Sequence, residues 1–288
     1  MAMCKFGQVG PRLFDALFAR FGGLKGMLQA DEGSLLALPG MTQKAAKQVV
    51  KAAKSLPQAK AYIADLKERD IEVKSRFDAD YPTLLFELND PPPLLYVKGK
   101  LPDSRRKSVA LIGTSAAGNE GIEMTTRLAR TFAEKQVQVV STFRGGVDMA
   151  AHLGCLAAKG ATYAVLSSGS DALADQEATI VAIDIAQAGG VISEYEPDVA
   201  TDDSHLMATN RLLVGLAQAV VVTEFYHDSP QTLDLLSFCQ MIGKLTFVMV
   251  DPDQGALSDE RALTKAAEYG VIPIEGYRKV DDIIRSLV

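Results

Sequence analysis

The chain has 288 residues, 48% of them hydrophobic, and a formal net charge of −6. This composition excludes a disordered polypeptide, and no run approaches the roughly 18 consecutive apolar residues that span a bilayer. Cys4, Cys155 and Cys239 are scattered without disulfide or metal-ligand spacing, and the N-terminus shows no basic-then-apolar leader, so a cytoplasmic protein with reduced thiols is expected.

The charge is unevenly divided. Residues 1–77 carry 13 Lys+Arg against 7 Asp+Glu, and the rest carries 17 against 29. A basic small module therefore precedes an acidic large one. Such a module either holds a polyanion or simply presents a solvated, lysine-rich helix face.

Residues 1–75 read as a helical module. Apolar residues at 13, 14, 17, 18 and 21 form a helical stripe, and residues 58–71 read as a further helix. Between them, Leu35-Leu-Ala-Leu-Pro-Gly40-Met-Thr-Gln-Lys-Ala45-Ala has the form of a helix-hairpin-helix: an apolar helix, a Pro-Gly hairpin and a second helix. Such a hairpin aims backbone N–H groups at a phosphate without reading bases, which marks Gly40, Thr42 and Lys44 as candidate contacts. The same unit also serves as a plain packing module.

Residues 76–108 break the pattern with turn signals at Asp78, Asp80, Pro82 and Asp90-Pro-Pro-Pro93. The segment is too apolar for a free linker and is expected to pack on the domain that follows. From 109 to 288 strands and helices alternate. Candidate strands are 109–113, 137–141, 162–167, 190–194, 219–224, 245–250 and 271–274. Several are continuous valine-rich runs, as in strands buried on both faces. The fold class expected is α/β, a doubly wound, mostly parallel Rossmann-like sheet, with a small N-terminal all-α domain of helix-hairpin-helix or SAM-like type.

In such a sheet ligands bind beyond the carboxyl ends of the strands, and the conspicuous residues gather there. Val109-Ala-Leu-Ile-Gly113 turns through Thr114, Ser115 and Gly118 into a helix start that suits a phosphate. Val139 to His152 brings Ser141, Arg144, Gly146, Asp148 and His152. Asn210 and Arg211 are expected to open the amphipathic helix 211–217. Glu224 ends a strand, and Ser229 precedes another helix. His152 is either a base or ligand, or a packed histidine beside an Asp148 that caps its helix. Arg211 is either an anion ligand or the partner of Glu194 or Glu224. Glu224 either binds a ribose hydroxyl or pairs with Arg211. His152, His205 and His227 are not spaced as metal ligands, and no nucleophile motif appears. No metal, cofactor or catalytic residue is expected.

These pieces, in this order, resemble the DprA/Smf family of bacterial DNA-processing proteins over roughly residues 8–275. Asp78-Ala-Asp-Tyr-Pro82 followed by Asp90-Pro-Pro-Pro-Leu-Leu-Tyr-Val-Lys-Gly99 is similar to the family's entry segment. Ser141 to His152, Ile192-Ser-Glu-Tyr195, Asn210-Arg211 and Val222-Thr-Glu224 also fit. The resemblance implies a non-catalytic, homodimeric protein that binds and protects single-stranded DNA. It also implies loading of a RecA-type recombinase in natural transformation and DNA recombination. A C-terminal winged helix, carried by many members, is expected to be missing. Departures fall on the phosphate contacts: the family's turn arginine is Ser115, the first arginine of its Arg-Asn-Arg is Thr209, and Arg144 stands where the family has a small residue. Two other readings stay open: a Rossmann protein that binds or senses a nucleotide derivative, and a paralogue that acts only as a protein-contact module.

Overall fold

The computed structural model describes residues 1–173, 175–224, 226, 229–250, 260–276 and 279–287. His227 lies outside them. The chain divides into two compact units, residues 1–81 with 89–96, and residues 82–88 with 97–288. Residues 76–108 thus contribute to both.

The first unit holds α1 (Ala2–Gly7), α2 (Pro11–Phe21), α3 (Leu24–Gln29), α4 (Glu32–Leu36), α5 (Gln43–Ala53), α6 (Leu56–Glu68) and β1 (Glu72–Ser75). Local signals set these boundaries. Pro11 occupies the first turn of α2, where its missing N–H costs nothing, and Gly22 ends that helix at φ +67°. Asp31 caps α4 by accepting the Ser34 N–H at 2.8 Å, and Thr42 caps α5 by accepting the Ala45 N–H at 3.2 Å. The buried faces meet in a core of Met3, Val9, Phe14, Leu17, Met27, Leu35, Ala46, Val49 and Ala52. β1 was not among the expected elements. It is four residues long and only partly buried, so it lacks the continuous apolar run that reveals a strand.

After a 3₁₀ turn (Thr83–Glu87) come β2 (Leu94–Gly99), β3 (Ser108–Gly113), α7 (Asn119–Glu134), β4 (Gln138–Thr142), α8 (Val147–Ala157), β5 (Thr162–Val165), α9 (Gln176–Ala188) and β6 (Gly190–Ser193). Then follow α10 (Asp203–Gly215), β7 (Ala219–Glu224), α11 (Pro230–Met241), β8 (Leu245–Val250), α12 (Glu260–Glu268), β9 (Ile272–Glu275) and α13 (Val280–Ser286). In the second unit the strand order is β6-β5-β4-β3-β7-β8-β9, and every pair in that series is parallel. The chain builds outward from β3 to β6, then returns to β7 beside β3. The order reverses between β3 and β7, the crevice where open α/β sheets take ligands.

Alternate residues of the central strands pack both ways. Val109, Leu111, Val139, Val221 and Met249 join α7, α8 and α13 in one core. Their neighbours Ala110, Ile112, Val140, Val220 and Val222 are equally buried. Hence the continuous valine runs: strands covered on both faces have no solvent side on which to place a polar residue. Among the described residues, no helix is long and apolar enough to cross a membrane.

Candidate functional site

The turn after β3 is closed by backbone contacts. A β-carbon on Gly113 would lie 2.6 Å from both the Glu224 carbonyl oxygen and Val147 Cγ2. The Thr114 N–H donates to that same carbonyl at 3.0 Å, and the Ala116 N–H to Thr114 Oγ1 at 3.1 Å. Gly146, at φ +53°, brings the β4–α8 loop against this turn. A β-carbon there would lie 2.5 Å from the Thr114 and Ser115 carbonyls, so no other residue fits. Ser115 and Gly118 are exposed.

Gly118 is the N-cap of the 16-residue α7 and offers no side chain to its N–H groups. Glu224 supplies one instead. The Gly118 N–H donates to Glu224 Oε1 at 3.3 Å, and Glu224 is 6% exposed. Its Oε2 is buried without a hydrogen-bond partner among the described residues. A β-carbon on Gly121 would lie 1.6 Å from Oε2, so the carboxylate occupies the space a side chain would take in the first turn of α7.

The β4–α8 loop forms a second cluster. Asp148 accepts hydrogen bonds from Thr142 Oγ1 and, at 3.3 Å, from Arg144 Nε. Arg144 Nε also donates to Thr142 Oγ1 at 3.1 Å. Asp148 is buried, and burial pushes its carboxyl above the ordinary range. It does not cap α8. The N-cap there is Gly146, with no side-chain bond, because Thr142 and Arg144 draw the carboxylate to the strand end instead. His152 is fully buried between Thr162 Oγ1 at 2.8 Å and the Thr142 carbonyl at 2.9 Å. Burial lowers its pKa to about 4, so it is neutral near pH 7. Ser141 Oγ donates to the Leu111 carbonyl at 2.7 Å, tying β4 to β3. Ser229 precedes α11 with Oγ 3.2 Å from Thr232 Oγ1.

Arg211 does not start a helix. Asp202 caps α10 by accepting the Ser204 and His205 N–H groups at 2.8 and 3.2 Å, which places Asn210 and Arg211 in the helix interior. Arg211 pairs with Glu194, Nη2 lying 2.6 Å from both carboxylate oxygens. Of the partners open from sequence, the one realised is Glu194.

A cavity of about 260 Å³ opens at the carboxyl ends of β4 and β5. Apolar walls come from Phe143, Val165, Leu166, Leu173 and Leu206, hydroxyls from Thr142, Ser167, Ser168, Thr201 and Thr209, and Arg144 and Asn210 also line it. Thr142, Arg144 and Asn210 thus meet in one place. Ser167, Ser168, Thr201 and Leu206 were not among the expected site residues, because two segments far apart in sequence supply them. Beside the cavity-lining Leu206 and Ser167, His205 stacks on Tyr195 with ring centroids 3.8 Å apart, and its Nδ1 lies 3.0 Å from the Ser167 carbonyl.

The helical unit carries a separate surface. Gly40, at φ +75°, turns the chain between α4 and α5. Lys44, Lys47 and Lys51 on α5 and Lys54 at its C-cap are all exposed. Spacings of three, four and three residues put them on one helix face.

Residues 72–255 match the family described as DNA recombination-mediator protein A. The chain belongs to that family. The chain is 28% identical over 229 residues to Protein Smf of Synechocystis sp., covering 78% of this chain and 57% of that protein. It is 32% identical over 150 residues to DNA processing protein DprA of Streptococcus pneumoniae, covering 52% of this chain and 53% of that protein. It therefore spans about half the length of the curated relatives it matches. The X-ray structure of the Streptococcus pneumoniae DprA has a TM-score of 0.78 at 21% identity, covering 99% of this chain and 95% of that one. A DprA structure from Helicobacter pylori, described for its single-stranded DNA binding mode, has a TM-score of 0.62 at 23% identity, covering 75% and 97%. The two solved structures establish the fold of this family member. Its matched region includes the turn after β3, the Arg144–Asp148 loop, Arg211 and Glu224.

Proposed function

We propose that this chain is a non-catalytic single-stranded DNA-binding protein that protects the strand and hands it to a RecA-type recombinase during DNA uptake or recombination. The carrying observation is family membership through a matched region that contains the whole sheet-edge site. Two features of the chain support a polyanion ligand. Arg144 lines the strand-end cavity, and its bonds to Thr142 and Asp148 run through Nε, so both Nη groups stay outside that pair of bonds. A guanidinium edge presented in this way can grip a phosphate. The second feature is the exposed stripe of Lys44, Lys47, Lys51 and Lys54, which matches a repeating phosphate backbone in charge and needs no base readout. A homodimer, expected from the resemblance, belongs to the same proposal.

The test is a salt titration of oligothymidylate binding by fluorescence anisotropy. Affinity falls linearly with salt on logarithmic axes, and Arg144→Ala weakens it. Changing the four lysines to glutamine lowers the slope by up to about 3, at ~0.7 per phosphate contact on a single strand. Absence of binding at low salt, or binding indifferent to both changes, overturns the proposal.

A second reading draws on the cavity itself. Its mainly apolar walls, several hydroxyls and one guanidinium are the make-up of a pocket for a small nucleotide. Thermal shift with mononucleotides separates the two readings. Stabilisation by a mononucleotide with no response to oligothymidylate favours the second.

A further inference from the structure

We infer that Glu224 is a resident anion: its carboxylate fills the phosphate cradle at the N-terminus of α7 and keeps free phosphate out of the turn after β3. The inference goes beyond DNA binding and does not depend on it.

The local geometry carries the argument. α7 is long and aligned, so its N-terminus concentrates positive potential and unpaired N–H groups. Its N-cap is a glycine, so the cradle is open to an outside anion. Three turn donors are already engaged within the chain: the Thr114 N–H on the Glu224 carbonyl, the Ala116 N–H on Thr114 Oγ1 and the Gly118 N–H on Glu224 Oε1. The second oxygen, Oε2, is buried without a hydrogen-bond partner among the described residues, at the position where Gly121 would carry a β-carbon. A buried carboxylate oxygen with no hydrogen bond is costly. The helix field compensates it here, as it would a phosphate oxygen. Gly121 is what makes room for it.

Glu224 therefore shares the turn with no second anion. A phosphate entering the cradle would meet both the engaged donors and a negative charge at contact distance. The sheet still presents its switch point at β3 and β7, but the chain itself has filled it.

Inorganic phosphate is the probe, so the outcome is independent of any DNA binding. The amide resonances of Ala116 and Gly118 are followed by NMR during phosphate titration of the full chain, for wild type and for Glu224→Gln and Glu224→Ala. Circular dichroism confirms that each variant is folded. In the wild type these resonances stay put at millimolar phosphate. In the variants they shift saturably, with affinity about tenfold or more above any wild-type response, since a neutral side chain no longer opposes the incoming charge. Glu224→Gln keeps the size and one acceptor oxygen, and it carries the test if Glu224→Ala fails to fold. Saturable phosphate binding at these amides in the wild type overturns the inference. So does an unresponsive, folded Glu224→Gln.

Discussion

Arg211 Nη2 lies 2.6 Å from both carboxylate oxygens of Glu194, and each side chain is only 14% exposed. This guanidinium at the edge of the sheet is thus neutralised inside the protein. Breaking so buried a charge-assisted pair, with one guanidinium nitrogen on both carboxylate oxygens, costs about 3 kcal/mol. Glu194→Gln should lower stability in urea denaturation by that order. The double variant Glu194→Leu, Arg211→Met should recover most of the loss. Single changes that cost under about 1 kcal/mol would place the pair with ordinary surface salt bridges.

His152 sets a second expectation. Its ordinary pKa of 6.5 is lowered to about 4 by burial. The unfolded chain takes up this proton near pH 6.5, and the folded chain takes it up only near pH 4. Protons therefore favour unfolding in that window, and stability falls as pH drops through it, by about 3 kcal/mol from this group. Asp148, with its raised carboxyl, works in the opposite direction, so the difference between proteins is the informative quantity. Denaturation at pH 7 and at pH 4.5 should show a smaller loss in His152→Gln than in wild type. Equal losses would mean that His152 is not held neutral.

Gly121 and Glu224 share one space, which makes their substitutions interdependent. Gly121→Ala alone drives a methyl into the carboxylate and should cost about 1–3 kcal/mol by overpacking. In a Glu224→Ala background the same change should cost clearly less, since only the β-carbon at 224, 3.1 Å from the new methyl, still has to give and alanine is the better helix former by about 1 kcal/mol. A double-mutant cycle read by thermal melting gives the coupling directly. Additive effects would show that the carboxylate does not sit in the first turn of α7.

Thr142 holds the buried Asp148 through its hydroxyl. Thr142→Val keeps the shape and removes that donor from a carboxylate whose Oδ1 already has no hydrogen-bond partner among the described residues. The expected loss is about 2 kcal/mol, against about 1 kcal/mol for Ser141→Ala, which breaks only a neutral bond to the Leu111 carbonyl. Urea midpoints for the two variants test the ranking.

Much of the architecture was legible in the chain alone. Ala219-Val-Val-Val-Thr223 reads as a strand covered on both faces because no polar residue interrupts it. Gly113 and Gly146 mark places where two backbones meet too closely for a β-carbon. The site was legible in part. Arg144 and Asn210, both expected at the sheet edge, line one cavity, whereas the start of α10 was misplaced because one aspartate, Asp202, caps that helix nine residues before the expected start at Arg211.

Local patterning therefore determined the elements, their order and the sheet edge where chemistry collects, because burial and turn geometry act between residues close in sequence. Partner choice was left to the tertiary structure. Arg211 meets Glu194 and not Glu224, and Glu224 turns instead into the helix that begins at Asn119, more than a hundred residues earlier. Charges pair through space, and only the folded sheet brings those strand ends and helix starts within hydrogen-bond reach.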